Sequence, residues 1–243
     1  MNKIYVVGIG PGAYEKMTIE ACEALKASDV IIGYTVYVDL VKKHFADKKF
    51  MSTPMKKETE RCNLAFEEAM KGQTVSMICS GDAGVYGMAG LIYEVGEKYP
   101  EVEVEVVPGV TAATGGASVL GAPLIHDFCL ISLSDLLTPW ETIEKRILAA
   151  SKGDFVMVLY NPSSKKRHDY LYKACDLALI YKNPETVCGT VLNIGREGEE
   201  GKIMTLRELR NTKVNMFTTV FIGNSDTKII NGKMVTPRGY RNV

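Results

Sequence analysis

The chain has 243 residues, 46% hydrophobic and 24% charged, which is enough apolar material to bury a sizeable core as one large domain or two compact ones. Lys plus Arg and Asp plus Glu both number 29, so the formal net charge is zero. That balance argues against broad binding to nucleic acid or an anionic membrane, both of which draw on an excess of cations.

Met1-Asn2-Lys3 runs straight into the strand Ile4-Tyr5-Val6-Val7 without the longer apolar stretch of a signal peptide. No run reaches the roughly 18–20 apolar residues that span a bilayer. Residues 18–27 read as a helix capped by Thr18, with Ile19, Cys22 and Leu25 on one face, and Val30-Ile31-Ile32 as a second short strand. Cys62, Ala65, Phe66 and Ala69 follow the i, i+3, i+4, i+7 rule of a helix that Gly72 stops. Thr74 to Cys79 is a third strand, followed by Gly81-Asp82 and a helix near 86–98. Val102 to Val107 alternates apolar residues with Glu, the pattern of an edge strand. Strands alternating with helices imply parallel pairing through right-handed crossovers.

Residues 112–125 are small and poor in charge, and predict a tightly packed helix and then a turn joining two domains. The second half restarts the pattern with a strand at 128–133. Thr138-Pro139-Trp140-Glu141 reads as a capping box, with Thr138 as N-cap, Pro139 in the first turn and Glu141 reaching back. After a helix to about 151 come strand 154–160, helix 168–181, strand 186–192, a short helix near 205–210 and strand 216–222. Lys228 to Val235 reads as a β-hairpin, because Asn231-Gly232 at its centre suits a type I′ turn. The expected architecture is α/β: an N-terminal domain over 1–113, a linking segment over 114–125 and a C-terminal domain over 126–243, with a cleft between the domains.

The six cysteines include no C-x-x-C pair and the three histidines are widely spread, so neither a metal finger nor an iron–sulfur framework is expected. Most of the cysteines sit in apolar segments, as small buried hydrophobes do. A reduced cytoplasmic protein without a metal follows from this reading.

Gly8-Ile9-Gly10-Pro11-Gly12-Ala13 formally satisfies G-x-G-x-x-A after a strand, so a Rossmann dinucleotide site has to be weighed, as does a plain glycine turn. In a Rossmann loop the helix starts at once and its N-terminus faces the pyrophosphate. Here Pro11 shapes the loop, and Glu15, Lys16 and Met17 intervene before Thr18. The acidic residue that should end the second strand is also missing, since that strand runs into Gly33-Tyr34. Ser80-Gly81-Asp82-Ala83-Gly84-Val85-Tyr86 follows the third strand and Pro108-Gly109-Val110-Thr111-Ala112 the next. Taken singly, Asp82 reads equally as a turn residue and Thr111 as a helix cap. Together they put glycine-rich backbone at the carboxyl ends of several strands, where open α/β sheets bind ligands.

G-x-G-P-G, then G-D-x-x-x-Y, then P-G-V-T resembles the tetrapyrrole methylases. The resemblance continues through Ser132 to Trp140, Tyr160-Asn161-Pro162, Gly195-Arg196, Gly223-Asn224 and Thr236-Pro237-Arg238-Gly239-Tyr240, covering essentially the whole chain. His126-Asp127-Phe128-Cys129, L-S-D-L-L-T-P-W and T-P-R-G-Y look like the branch that methylates C-17 of precorrin-3B or cobalt-factor III, contracting the ring on the way to cobalamin. The other readings are a corrin methylase acting at C-11 or C-20, and a carrier or scaffold that keeps the fold.

The resemblance implies two α/β domains, S-adenosylmethionine as methyl donor, a tetrapyrrole substrate and a homodimer. By position it implies that Pro11, Gly81, Asp82, Val85, Thr111 and Ala112 line the donor site, with Asn161, Ile194, Thr236 and Pro237 from the C-terminal domain. Many relatives have G-D-P where this chain has Gly81-Asp82-Ala83, and Met-Gly where it has Asn161-Pro162. Glycines admit backbone close to a ligand, and the Asp82 carboxylate suits a cationic or hydroxylated part of the donor. Methyl transfer asks mainly for placement, whereas ring contraction moves protons and develops charge on oxygen. His126, Asp127, Ser134 and Asp135, near strand ends of the C-terminal domain, are the acid–base candidates. Arg196, Arg238 and Arg241 are the expected partners of substrate carboxylates. The basic run Lys165-Lys166-Arg167-His168 reads either as a further contributor or as a solvated helix start.

Overall fold

A computed structural model describes residues 2–164 and 168–240. The chain divides into two units, Met1–Ala112 and Ala113–Val243.

The first unit carries β1 (Lys3–Gly8), α1 (Ile19–Ala27), β2 (Val30–Tyr34), α2 (Thr35–Val41), β3 (Lys49–Thr53), α3 (Glu58–Ala69), β4 (Thr74–Cys79), α4 (Ala89–Gly96) and β5 (Glu103–Val107). Its five strands form one sheet in the order β3-β2-β4-β1-β5, and every neighbouring pair is parallel. Parallel strands covered on both faces need continuous apolar runs. Val30, Ile31 and Ile32 are accordingly all buried, as are Ile4, Val6 and Val7. β5 is an edge strand, as its alternation predicts, and Lys3 from β1 bridges its Glu103 and Glu105 at 3.0 and 2.7 Å.

The predicted face of α1 is corrected. Ala21, Ala24 and Leu25 are buried, whereas Ile19 is 81% exposed. Small side chains let this helix lie close on the sheet, so its packed face is not its bulkiest one. α2 and β3 carry no clear signal in the sequence. The first has only seven residues, and the second is a mostly polar edge strand, so neither shows a clear period.

In the second unit, α5 (Ala112–Leu120) leads into β6 (Gly121–Ala122), β7 (Phe128–Ser132), α6 (Trp140–Lys152), β8 (Val156–Tyr160), α7 (Tyr170–Ala178), β9 (Val187–Leu192), β10 (Glu200–Thr205), α8 (Leu206–Arg210), β11 (Thr218–Ile222), β12 (Lys228–Ile230) and β13 (Lys233–Val235). The main sheet runs β10-β9-β11-β8-β7. Uniform parallel pairing does not extend to it: only β7 and β8 are parallel neighbours, and β11 lies antiparallel to both β8 and β9. The short connection after β9 turns the chain back into β10, whereas β10 and β11, both antiparallel to β9, run parallel to each other and are joined by a crossover through α8.

Residues 114–125, taken from the sequence as the segment joining the domains, contribute α5 and β6 to this unit. A Cβ at Gly116 would lie 2.9 Å from Ile194 Cδ1 and from the Phe221 ring, so the small residues seat this helix directly on the sheet. β6 pairs with β13. The hairpin forms as predicted, with Asn231 and Gly232 at φ 49° and 73°.

The predicted capping box at Thr138 does not form. Pro139 is the N-cap of α6, at φ −55° and ψ 143°, without a side-chain cap bond. Its extended backbone moves the start one residue on, and Glu141 is no longer at the third helical position. A capping box does form at α8, between Thr205 and Glu208.

Tyr160 Oη accepts the backbone N–H of Ala113 at 2.8 Å, satisfying a donor in the first turn of α5. Tyr160→Phe leaves that buried amide unpaired and is expected to lower stability by about 1–2 kcal/mol in a denaturant titration. An unchanged midpoint would remove this bond as an anchor of the helix.

Candidate functional site

In the first unit, three loops meet beyond the carboxyl ends of β4, β1 and β5, the central and adjoining strands of the sheet. Gly10 and Gly81 exchange backbone hydrogen bonds at 3.0 and 2.7 Å, joining the first two loops. A Cβ at Gly109 would lie 2.3 Å from the Gly81 oxygen and 2.4 Å from that of Gly8, so the third loop packs backbone to backbone against both. Gly10 and Gly81 sit at φ 71° and 72°, left-handed conformations that glycine adopts without strain. The result is a rim of main-chain groups and little side chain, flanked by Pro11, Val85, Thr111 and Ala112.

This geometry departs from a dinucleotide loop. A short 3₁₀ turn, Tyr14–Lys16, follows the glycines, and α1 begins only at Ile19. Thr18 Oγ1 accepts the Ala21 N–H at 3.0 Å and donates to the Pro108 carbonyl at 3.2 Å. The helix N-terminus is thus capped from within and tied to the loop after β5. No acidic residue ends β2.

Asp82 makes the hydrogen bonds of a turn residue, one of the two readings open to it in the sequence. Its Oδ1 accepts the N–H groups of Gly84 and Val85 at 2.8 and 3.1 Å, and its Oδ2 accepts that of Gly109 at 2.9 Å. Both oxygens therefore stitch the loop after β4 to the loop after β5. The carboxylate thereby shapes the rim. Gly8 and Gly109, which set the closeness of the loops, were not among the sequence candidates. The P-G-V-T motif was a usable signal for Gly109.

In the second unit, the structure separates residues that the sequence grouped. β7, β8 and β9 share one direction, because β8 and β9 are both antiparallel to β11. Ser134, Asp135, Asn161, Ile194 and Arg196 follow the carboxyl ends of these strands along one edge of the sheet. There Ser132 Oγ accepts both the Ser134 N–H at 3.2 Å and Asn161 Nδ2 at 3.0 Å. Tyr170 Oη donates to Asp135 Oδ2 at 2.6 Å. Arg196 lies over the Phe217 ring, 5.9 Å from its centre.

His126 and Asp127 precede β7 and lie exposed at the opposite edge. Five strand residues at about 3.3 Å each set them roughly 17 Å from Ser134 and Asp135, so the four do not form one catalytic group. Thr236 is also at that far edge. It is fully buried; its hydroxyl donates to the Pro123 carbonyl at 2.7 Å and shares a 2.8 Å hydrogen bond with Thr227, next to the turn after β11. That hydroxyl is committed to the fold. Pro237 and the exposed Arg238 follow it. Arg241 and the basic residues Lys165, Lys166 and Arg167 lie outside the described residues.

All six cysteines are free. Burial pushes the thiols of Cys79 and Cys129 up to about 11 and those of Cys62 and Cys175 up to about 12, and it raises Cys188 as well. These five thiols are held in their protonated form at neutral pH. Among the described residues there is no cluster of three or more His, Cys, Asp or Glu suited to a metal ion, and no helix long and apolar enough to cross a membrane.

The family model described as Tetrapyrrole (Corrin/Porphyrin) Methylases matches residues 3–210. The chain is 50% identical over 236 residues to a Salmonella typhimurium protein named "Probable cobalt-factor III C(17)-methyltransferase", a match covering 97% of this chain and 98% of that one. It is 47% identical over 245 residues to "Cobalt-factor III methyltransferase" of Priestia megaterium, spanning 45% of that longer protein. Among solved structures it superposes on a chain described as the methyltransferase CobJ with a TM-score of 0.87 and 33% identity, covering 96% of this chain and 99% of that one.

Proposed function

The chain belongs to the tetrapyrrole (corrin/porphyrin) methylases, and from that premise we propose that it transfers a methyl group from S-adenosylmethionine to C-17 of precorrin-3B or cobalt-factor III, with ring contraction, in the formation of cobalamin. The observation that carries this reading is the end-to-end match to a relative that bears the activity in its name.

The rim of the first unit fits the donor on its own chemistry. Glycines at 8, 10, 81 and 109 keep side chains away, so that main-chain N–H and C=O groups can meet amino-acid and adenine edges. Pro11 and Val85 supply rigid and apolar walls, and Thr111 and Ala112 bring the start of α5 to the same place. S-adenosylmethionine, when bound, supplies an electrophilic methyl group on its sulfonium. The chain's part in the transfer is orientation.

In the second unit we assign Asn161, at φ 53°, and Ile194 to the donor, and Thr236 and Pro237 to a supporting role through shape. For ring contraction we assign Asp135, held by the Tyr170 hydroxyl, to taking and returning a proton. Ser134 is assigned to donating to developing charge on oxygen. Arg196, Arg238 and Arg241 are the proposed partners of substrate carboxylates. A cytoplasmic location, supported by six unpaired cysteines, and a homodimer belong to the same proposal.

The test is incubation of purified protein with S-adenosylmethionine and the ring-contraction precursor, with and without cobalt, followed by mass and NMR analysis. The expected product carries one added methyl group at C-17. A methyl group at C-11 or C-20 would reassign the chain to another corrin methylase. No product, together with no S-adenosylmethionine binding in calorimetry, would leave the carrier or scaffold.

A further inference from the structure

Arg61, in the first turns of α3, is only 4% exposed. Its Nε donates to Thr53 Oγ1 at 2.9 Å, and its Nη2 to the carbonyls of Thr53 and Pro54 at 3.4 and 3.1 Å. Among the described residues its Nη1 meets only the thioether of Met88, at 3.9 Å, and the guanidinium lies 6.0 Å from the centre of the Tyr34 ring. All of these are neutral, and among the described residues Arg61 forms no ion pair.

Other buried charges in the chain are handled differently. Glu68, with its side chain 4% exposed, holds Lys49 and Lys71 at 2.7 and 2.5 Å. Lys182, with its side chain 2% exposed, holds Asp154 at 3.2 Å. A guanidinium stays charged at any working pH, and a buried charge is costly without a counter-ion.

The position of Arg61 indicates where a counter-ion would come from. Tyr34 ends β2, Thr53 ends β3, and Met88 closes the loop after β4, so the guanidinium lies at the β3-β2-β4 half of the carboxyl edge. The glycine rim occupies the β4-β1-β5 half of that edge. The loop after β4 serves both, with Gly81 and Asp82 at its start and Met88 at its end. Neighbouring strands are about 4.8 Å apart, so a ligand group at Arg61 is a few strand spacings from the rim. A thioether is a weak acceptor on a flexible side chain, readily exchanged for a stronger one.

We propose that Arg61 is a specificity residue that supplies the counter-charge for a carboxylate of the tetrapyrrole, with Met88 occupying that carboxylate's place until it binds. The inference rests on the function proposed above. Substrate selection would then begin within the first unit, beside the donor rim.

The test uses the full chain and two probes, uroporphyrin III with free carboxylates and the same macrocycle with its carboxylates converted to amides, both followed by fluorescence titration. S-adenosylhomocysteine binding is read separately by calorimetry. Arg61→Met is expected to weaken free-acid binding about tenfold, as loss of a charge-assisted contact does, with amide and S-adenosylhomocysteine affinities within about twofold of wild type. Arg61→Lys, which keeps the charge and loses the fork, should fall between. Unchanged free-acid binding in Arg61→Met, equal loss of all three ligands, or no preference of the wild type for the free acid over the amide overturns the proposal. If Arg61→Met does not fold, Arg61→Lys decides: weaker free-acid binding with the amide unchanged supports it, and equal affinities overturn it. Wild-type methyl transfer is measured in parallel. Turnover with unchanged free-acid binding in the variant sinks this inference alone, whereas absent turnover sinks the proposed function.

Discussion

Replacing Gly109 with alanine is expected to abolish measurable S-adenosylhomocysteine binding and to cost at least about 3 kcal/mol of stability, the upper range for forcing a methyl group into a packed site. The added carbon would meet the carbonyl oxygens of Gly81 and Gly8 at 2.3 and 2.4 Å. Both are backbone atoms, so no rotamer change relieves the clash, and the loops after β1, β4 and β5 have to part. The same movement breaks the bond from the Gly109 N–H to Asp82. Gly90→Ala is the control. A Cβ at Gly90, in the first turn of α4, meets nothing within 4 Å, so alanine there is expected to leave stability and donor binding unchanged. Calorimetric titration and denaturant melts on both variants check the pair. Donor affinity in Gly109→Ala within about twofold of wild type would show that the rim does not hold the donor.

Asp82→Asn is expected to weaken S-adenosylhomocysteine binding by about 10- to 100-fold, from loss of a charged hydrogen bond worth roughly 1.5–3 kcal/mol. The amide oxygen can still accept from Gly84 and Val85, but the amide nitrogen then faces the Gly109 N–H, donor against donor. Asp82→Ala is expected to bind no better than Asp82→Asn, since it loses all three bonds. The role found for Asp82 is thus distinguishable from direct contact with the donor. If the carboxylate orders the rim, both variants also show faster hydrogen exchange at Gly84, Val85 and Gly109. Weaker binding with unchanged exchange at these amides would return Asp82 to direct contact.

Much of the first unit was legible in the sequence. Buried strands announced themselves as continuous apolar runs, α3 by its period, α1 by the Thr18 cap and β5 by its alternating glutamates. These signals are local, since each reports which face of one element avoids water. Asn231-Gly232 marked its hairpin in the same way, because a type I′ turn constrains two adjacent residues.

The misreadings came where local signals compete or fall silent. Pro139 displaced the cap predicted at Thr138. Alanines outweighed Ile19 in deciding the face of α1, because close approach to the sheet favours small side chains. β3 and α2 lacked a period long enough to register.

The sequence by itself determined the order of most elements, the glycine-rich strand ends and the resemblance that tied them to one family. Only the tertiary structure decided that His126 and Asp127 lie across the sheet from Ser134 and Asp135, that β11 runs against its neighbours, that the Asp82 carboxylate is spent on three backbone amides, and that Arg61 is buried without an anion. The physical reason is range. Periodicity and turn chemistry act over a few residues. Strand direction, the edge at which a loop emerges and the partner a charge finds are set by contacts between residues far apart in the chain.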